Sequence, residues 1–292
     1  MIRVKFWGTR GSITTPGQNN LYYGGETPCV ELIGIPNDDP GAVTLPDNPY
    51  LILDGGSGLT SLQFPLMAGV CGRGEGDLSF LISHYHWDHM IGLPFFRPIF
   101  IPGNRITFYG DSEANLRSTV EQLFTSNYSP LKGAQNLAAE LAYRQVFLDD
   151  DMNIAGFYVR ATRHHHPGKA LTYRIQYRNA VVVYSTDHGI GDPEVDTKLV
   201  ELAQNADLWI LDGMYTVDEC RECLDWGHSS HLASTKLALQ ANVSNLVIFH
   251  HSPDHDDQKL DQMKQEAVAL ATGTSTRVLM ARDGLVLDVG QY

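Results

Sequence analysis

The sequence predicts an α/β fold in which two mixed β-sheets carry helices on their outer sides, and three observations lead there. Short apolar, β-branched runs recur along the whole 292-residue chain, at 2–7, 29–33, 50–53, 78–82, 105–109, 156–161, 180–184, 208–211, 245–249, 277–280 and 285–289. Helical patterns fall between the later runs. No internal repeat, low-complexity tract or long linker divides the chain, so a single domain over residues 1–292 is expected.

Taken in order, Met1-Ile2-Arg3-Val4-Lys5 enters a strand at once and does not resemble a signal-peptide core. Strands dominate the first third. Helices are predicted at 113–124, 196–205, 231–241 and 257–271, the last with Leu260, Met263, Ala267 and Leu270 at helical spacing. Segment 111–145 is the least strand-like and is expected to form a small cap over a site.

Composition narrows the function classes. With 43% apolar and 19% charged residues the chain reads as an ordinary globular enzyme able to bury a core without disulfides. No window of roughly 18 or more apolar residues exists to span a bilayer, so a cytoplasmic protein with no membrane partner is expected. The four cysteines are too few and too scattered for a disulfide framework. Cys220-x-x-Cys223 is half of a zinc site, a redox pair, or two ordinary thiols near a helix, and the last is expected because no second CxxC exists. A formal net charge of −13 argues against gripping a long nucleic acid, because neutralising phosphates calls for a basic face.

The chemistry concentrates in histidine. His84, His86 and His89 lie beside Asp88 directly after the run 78–82. Residues two apart in extended chain project to one side, so His84 and His86 can face one ion, and the following turn carries Asp88 and His89 toward a second. Imidazole and carboxylate suit Zn²⁺, Mn²⁺ or Fe²⁺. Further ligands must come from other strand ends, and the chain offers His164-His165-His166, Asp187-His188 and His250-His251, each just past an apolar run.

The HxHxDH segment, the preceding Leu51-Ile52-Leu53-Asp54-Gly55-Gly56 and the three later clusters in this order resemble the metallo-β-lactamase superfamily, from residue 1 to about 289. Phe6-Trp7-Gly8-Thr9-Arg10-Gly11-Ser12 and Gly227-His228-Ser229-Ser230 resemble its branch of ribonuclease Z, phosphonate-pathway phosphodiesterases and cyclic-nucleotide phosphodiesterases. The resemblance implies an αββα sandwich. It also implies that His84, His86 and His166 hold one metal, that Asp88, His89 and His250 hold the other, and that Asp187 bridges both. Pro167-Gly168 and Leu171-Thr172-Tyr173-Arg174 match the stretch that follows the ligand in that family, which selects His166. His250 is chosen over His251 because it directly ends its strand. Asp54 is expected to be structural or to orient a ligand.

Two divalent ions bring the pKa of bound water to about 7 and so supply a hydroxide nucleophile. Against their charges stand Asp88, Asp187 and that hydroxide, which leaves one positive charge for a phosphodiester monoanion to neutralise. A poor alkoxide leaving group calls for a proton donor. His228 is the candidate, with Asp212 as the acid that keeps it protonated and Asp88 beside it at the metals. Arg10 and Ser12 in a glycine-rich turn, and Ser229 at a helix start, are candidates for phosphate contacts; the alternatives are a structural turn and N-capping.

The expected substrate is a small phosphodiester, with a 3′,5′-cyclic nucleotide as the best single choice. An RNA-processing role is disfavoured, because 111–145 carries Asp111, Glu113, Glu121 and Glu140 against Arg117, Lys132 and Arg144 and lacks the basic arm of the tRNA-processing relatives. Glu26 and Pro28 stand where those relatives show Asn and Ser, so the loop facing the substrate is expected to differ. A carboxylic ester, thioester or lactone hydrolase on the same metals is the alternative, and a non-catalytic metal sensor a third reading. A homodimer is implied by resemblance.

Overall fold

The structure is a computed structural model and describes residues 1–36, 48–129 and 131–290. One seven-stranded sheet contains β1 (Ile2–Gly8), β2 (Cys29–Gly34), β3 (Tyr50–Leu53), β4 (Asp77–Leu81), β5 (Arg105–Gly110), β6 (Glu140–Gln145) and β14 (Val286–Val289), in the order β14-β1-β2-β3-β4-β5-β6. The other contains β7 (Asp151–Ile154), β8 (Phe157–Arg163), β9 (Leu171–Tyr177), β10 (Ala180–Ser185), β11 (Leu208–Asp212), β12 (Asn245–Phe249) and β13 (Arg277–Met280), in the order β13-β12-β11-β10-β9-β8-β7. The two halves repeat one plan. Antiparallel pairings run from β14 to β3 and from β7 to β10, and parallel pairings run from β3 to β6 and from β10 to β13.

Period-two alternation separates the layers. Val30, Leu32, Leu51 and Leu53 point into the central core with Val182, Tyr184, Ile210, Val247 and Phe249 from the facing sheet. Their neighbours Cys29, Tyr50, Ile52 and Phe80 face outward under α1 (Leu59–Ala68) and α2 (Glu113–Leu123). Val183, Trp209, Leu211 and Ile248 do the same under α3 (Pro193–Ala203), α5 (His231–Gln240) and α6 (Asp257–Ala271). Strands covered on both faces read as continuous apolar runs, which is why the sequence marked them. Each fully buried Leu, Val, Ile or Phe contributes roughly 1.5–3 kcal/mol. The αββα sandwich implied by resemblance is the observed fold.

Five differences from the expected elements are seen, the first being β9, a central strand with no expected run, in which Leu171, Tyr173 and Ile175 alternate with the polar Thr172, Arg174 and Gln176. The strands β6 and β7 were not marked, because their sequences ELAYRQ and DMNI are polar edge strands. Helix α1 contains Pro65, which disguises its pattern. The short α4 (Val217–Glu222) rests on a capping box between Thr216 and Glu219. Segment 111–145 is not a separate cap: α2 packs on β5 and β6, and β6 extends the sheet. Tyr85 donates a 2.6 Å hydrogen bond to Asp111 at its start. All four cysteines are unpaired. Among the described residues no helix is long and apolar enough to cross a membrane.

Candidate metal centre

The candidate ligands gather where the parallel strands of both sheets end, because β3, β4, β10, β11 and β12 all point their carboxyl ends to one edge of the sandwich. Asp54, Asp187 and His250 leave their strands in left-handed backbone, with φ of 57°, 56° and 63°. That conformation is uncommon for residues other than glycine and collects at functional sites. His84, His86, His166 and Asp187 form one group whose ligand atoms lie within 4.8 Å of one another, and Asp88, His89, Asp187 and His250 form a second.

Asp187 belongs to both groups through different atoms. Its Oδ1 lies 3.6 Å from His84 Nε2 and 3.8 Å from His166 Nε2, while Oδ2 lies 3.2 Å from His89 Nε2 and 3.3 Å from His250 Nε2. Thr186 donates its hydroxyl to Oδ2, and the carboxylate is buried. His164 turns away from the ligand atoms, with its Nε2 3.1 Å from the Asp187 carbonyl and its Nδ1 2.8 Å from the Thr172 hydroxyl. The triple histidine is thereby divided: His166 faces His86, His164 supports Asp187, and His165 is exposed. His251 bonds the Ala281 carbonyl at 2.8 Å instead of joining His250.

The donor atoms fit divalent cations. His166 Nδ1 donates to the Gly227 carbonyl at 3.0 Å, which leaves the Nε2 lone pair facing His86 Nδ1 at 3.1 Å. Burial lowers the pKa of both rings, that of His166 to about 4, so at neutral pH each keeps one nitrogen lone pair that a cation can take. His84 Nε2 and His89 Nε2 are buried without a hydrogen-bond partner among the described residues. In the metal-free chain burial opposes a charge on His89, but Asp88, Asp187 and Asp54 together raise its pKa well above the ordinary value. A cation at this position substitutes for that proton.

Asp54 organises the second group. Its Oδ2 accepts from His89 Nδ1 at 2.8 Å and from the Tyr184 hydroxyl at 2.7 Å, and its carboxylate also takes the Ser83 N–H and hydroxyl. Replacing Asp54 by alanine is expected to weaken metal binding roughly 10- to 100-fold, measured by competition with a chromophoric chelator. Unchanged affinity would show that His89 needs no such orientation.

Residues 79–251, more than half the chain, match the beta-lactamase superfamily domain. The chain belongs to the metallo-β-lactamase superfamily. It is 26% identical over 266 residues to ribonuclease Z of Synechococcus sp., covering 71% of this chain and 78% of that one. The metallo-beta-lactamase fold protein YhfI from Bacillus subtilis superimposes with a TM-score of 0.68 at 21% identity, covering 99% of each chain. A diphosphatase from the PhnP family superimposes at 0.64 with 15% identity, over 99% of this chain and 98% of that one. These two likenesses show the shared metallo-β-lactamase fold. The expectation against long nucleic acid finds no support in the sequence relative, which is a ribonuclease by name.

Beside the two ligand groups of this metallo-β-lactamase fold stands His228, stacked on His250 at 5.0 Å between centroids with 19° between planes. Its Nδ1 lies 2.9 Å from Asp212 Oδ2, and the other Asp212 oxygen accepts from the Ser229 N–H at 2.9 Å. Burial works against a charge on His228, but Asp212, Asp187 and Asp88 together push the pKa up to about 9. Two glycines set the spacing. A side chain at Gly11 would meet the His250 ring at 2.5 Å, and one at Gly227, where φ is +76°, would meet His166 Nδ1 at 2.5 Å.

Two of the residues expected to contact phosphate are buried and engaged within the protein. Arg10 is fully buried; its guanidinium donates to the carbonyls of Gly24, Ser252 and His255 at 2.9, 2.9 and 2.6 Å and ties the first turn to the loop after β12. Ser229 is buried as well, with its hydroxyl donating to the His188 carbonyl and accepting from the Ile190 N–H at 2.9 Å. Burying a guanidinium or hydroxyl demands such partners; they engage the Ser229 hydroxyl and the Nε and Nη1 of Arg10, while Arg10 Nη2 is buried without a partner among the described residues. Ser230 caps α5 by accepting from the Ala233 N–H at 3.3 Å. Ser12 is exposed and its N–H donates to Asp88 Oδ2 at 2.8 Å, so its backbone positions a candidate ligand. Glu26 is held by the Ser57 hydroxyl. Among the described residues no group of three or more potential ligands includes Cys220 or Cys223. Ser83 and Tyr184 are functional residues that the sequence reading does not single out, the place of Ser83 directly before His84 being their one available signal; Gly11 and Gly227 stand within the two resemblance motifs without an expected role.

Proposed function

We propose that residues 1–292 form one hydrolase domain that cleaves a phosphodiester with two divalent ions, Zn²⁺ in first place and Mn²⁺ or Fe²⁺ as the other options. His84, His86 and His166 hold one ion, Asp88, His89 and His250 hold the other, and Asp187 serves both. Bound there, the ions supply an acidified water and positive charge for the phosphoryl oxygens. The chain's own residues do the rest. Asp54 and the Gly227 carbonyl hold His89 and His166 in the required tautomers, Ser12 holds Asp88, and His228 gives its Nε2 proton to the leaving oxygen while Asp212 keeps Nδ1 engaged.

The observation that carries this reading is the His228–Asp212 pair at 2.9 Å against the ligand His250. Carbonyl chemistry on an ester, thioester or lactone needs an oxyanion donor rather than a buried, protonated imidazole. The substrate proposed first is a small diester, a 3′,5′-cyclic nucleotide, in a cytoplasmic enzyme that pairs as a homodimer by resemblance to its branch. A second reading, single-stranded RNA, is favoured by the relative named ribonuclease Z. With metals restored, bis-p-nitrophenyl phosphate, cyclic mononucleotides, short single-stranded RNA and an acyl lactone are assayed side by side. Turnover is expected on the phosphodiesters, and turnover confined to the lactone would overturn the proposal.

A further inference from the structure

We infer that Trp87 and Trp226 stack on nucleobases, so that the diester cleaved at this centre carries a nucleoside. The inference rests on the phosphodiesterase reading above and deepens it by naming the residues that would hold the nucleoside. Six of the seven candidate ligands are buried; His86 is exposed. Solvent and substrate therefore reach the centre along the His86 edge. A row of contacts crosses that edge: Trp87 adjoins His86, His86 Nδ1 lies 3.1 Å from His166 Nε2, His166 donates to the Gly227 carbonyl at 3.0 Å, and Gly227 adjoins Trp226. An indole stands at each end, Trp87 on the first sheet's loop and Trp226 on the second's.

Both indoles remain open, Trp87 at 49% and Trp226 at 64% exposure. Tyr128 adds a third ring, 6.1 Å from Trp87 and tilted by 49°, to one end of the row. Scattered apolar residues on a surface need no explanation, but two tryptophans bracketing the accessible edge of a phosphoryl centre do. Arg10, the arginine of the glycine-rich turn, is turned into the protein, and a net charge of −13 gives the surface little hold on further phosphates. Affinity for the part of the substrate that does not react must come from another source. Stacking supplies it, because every base has a π-face, and the result is a site tolerant of base identity.

Two comparisons test this, the first removing the whole nucleoside and the second the base alone. In the first, thymidine 5′-(p-nitrophenyl phosphate) and ethyl p-nitrophenyl phosphate release the same leaving group. The metal-restored protein is expected to favour the nucleoside ester by about tenfold in kcat/KM, through KM. The doubly substituted Trp87→Ala, Trp226→Ala protein should bring the ratio near one, and phenylalanine at both positions should restore most of it. Trp226→Ala by itself, outside the ligand segment, should lose part of the preference while metal content is unchanged. In the second, calorimetry without turnover compares AMP with ribose 5-phosphate; AMP is expected to bind about tenfold more tightly, and the double alanine variant to erase the difference. Equal binding of the two by the unsubstituted protein, or a preference that survives both alanines, overturns the inference. Failure to hydrolyse either ester would sink the phosphodiesterase reading instead, and the calorimetry would still decide the stacking.

Discussion

Replacing His228 by alanine leaves both ions bound and lowers kcat on an unactivated phosphodiester by roughly 10²- to 10⁴-fold, the usual contribution of a positioned general acid. The loss should shrink on a p-nitrophenyl ester, whose leaving group needs no proton. Steady-state kinetics on both esters, with metal content measured alongside, separates a proton donor from a ligand. The sign of the pH dependence follows from the raised pKa. A donor must be protonated, so activity holds below the pKa of His228 and falls as pH rises through it. Asp212, Asp187 and Asp88 bring that value up to about 9 in the metal-free chain, after burial has pulled the other way. Cations at the neighbouring groups push it down from there, so the alkaline limb lies at or below about 9. Asp212→Asn removes the supporting charge and should move the same limb to lower pH. Undiminished turnover of the unactivated diester by the His228 variant would remove His228 from the mechanism.

Asp187→Ala is expected to empty both metal positions, which no other single ligand replacement should do. Its two oxygens face different histidine groups, at 3.6 and 3.8 Å on one side and 3.2 and 3.3 Å on the other. His166→Ala should release one ion and His250→Ala the other. Elemental analysis after dialysis reads the difference directly, and hydrolysis by the Asp187 variant should fall to background. Retention of both ions by that variant would mean that the carboxylate does not bridge.

How much of this was legible beforehand depended on whether a residue's signal was local. The strands β3, β10, β11 and β12 are apolar on both faces because helices and the facing sheet cover them, and that burial writes a continuous run into the sequence. His84, His86, Asp88 and His89 are close in sequence, so strand geometry by itself brought them to one place. The polar edges β6 and β7 carry no such run, and neither does the interior strand β9, whose apolar residues alternate with Thr172, Arg174 and Gln176.

Arg10 shows the opposite case. A glycine-rich turn with an arginine looks like an anion nest when read locally. Its guanidinium is instead held by carbonyls from residue 24 and from residues more than two hundred positions away, and no local pattern encodes those partners. Ser229 fails for the same reason, because its acceptor His188 lies on another loop. Asp54 gains its role only when Ser83 and His89 from the loop after β4 and Tyr184 from β10 converge on it.

The sequence by itself thus determined the apolar strand runs and the histidine and aspartate clusters at their ends, because burial periodicity and short-range spacing are properties of neighbouring residues, while the αββα sandwich and the ligand set were implied by family resemblance. Tertiary structure decided which oxygen of Asp187 faces which histidines, which member of His164-His165-His166 turns inward, and which polar groups remain free for a substrate. Those outcomes rest on hydrogen bonds between distant segments, and such bonds exist only once the two sheets have closed on each other.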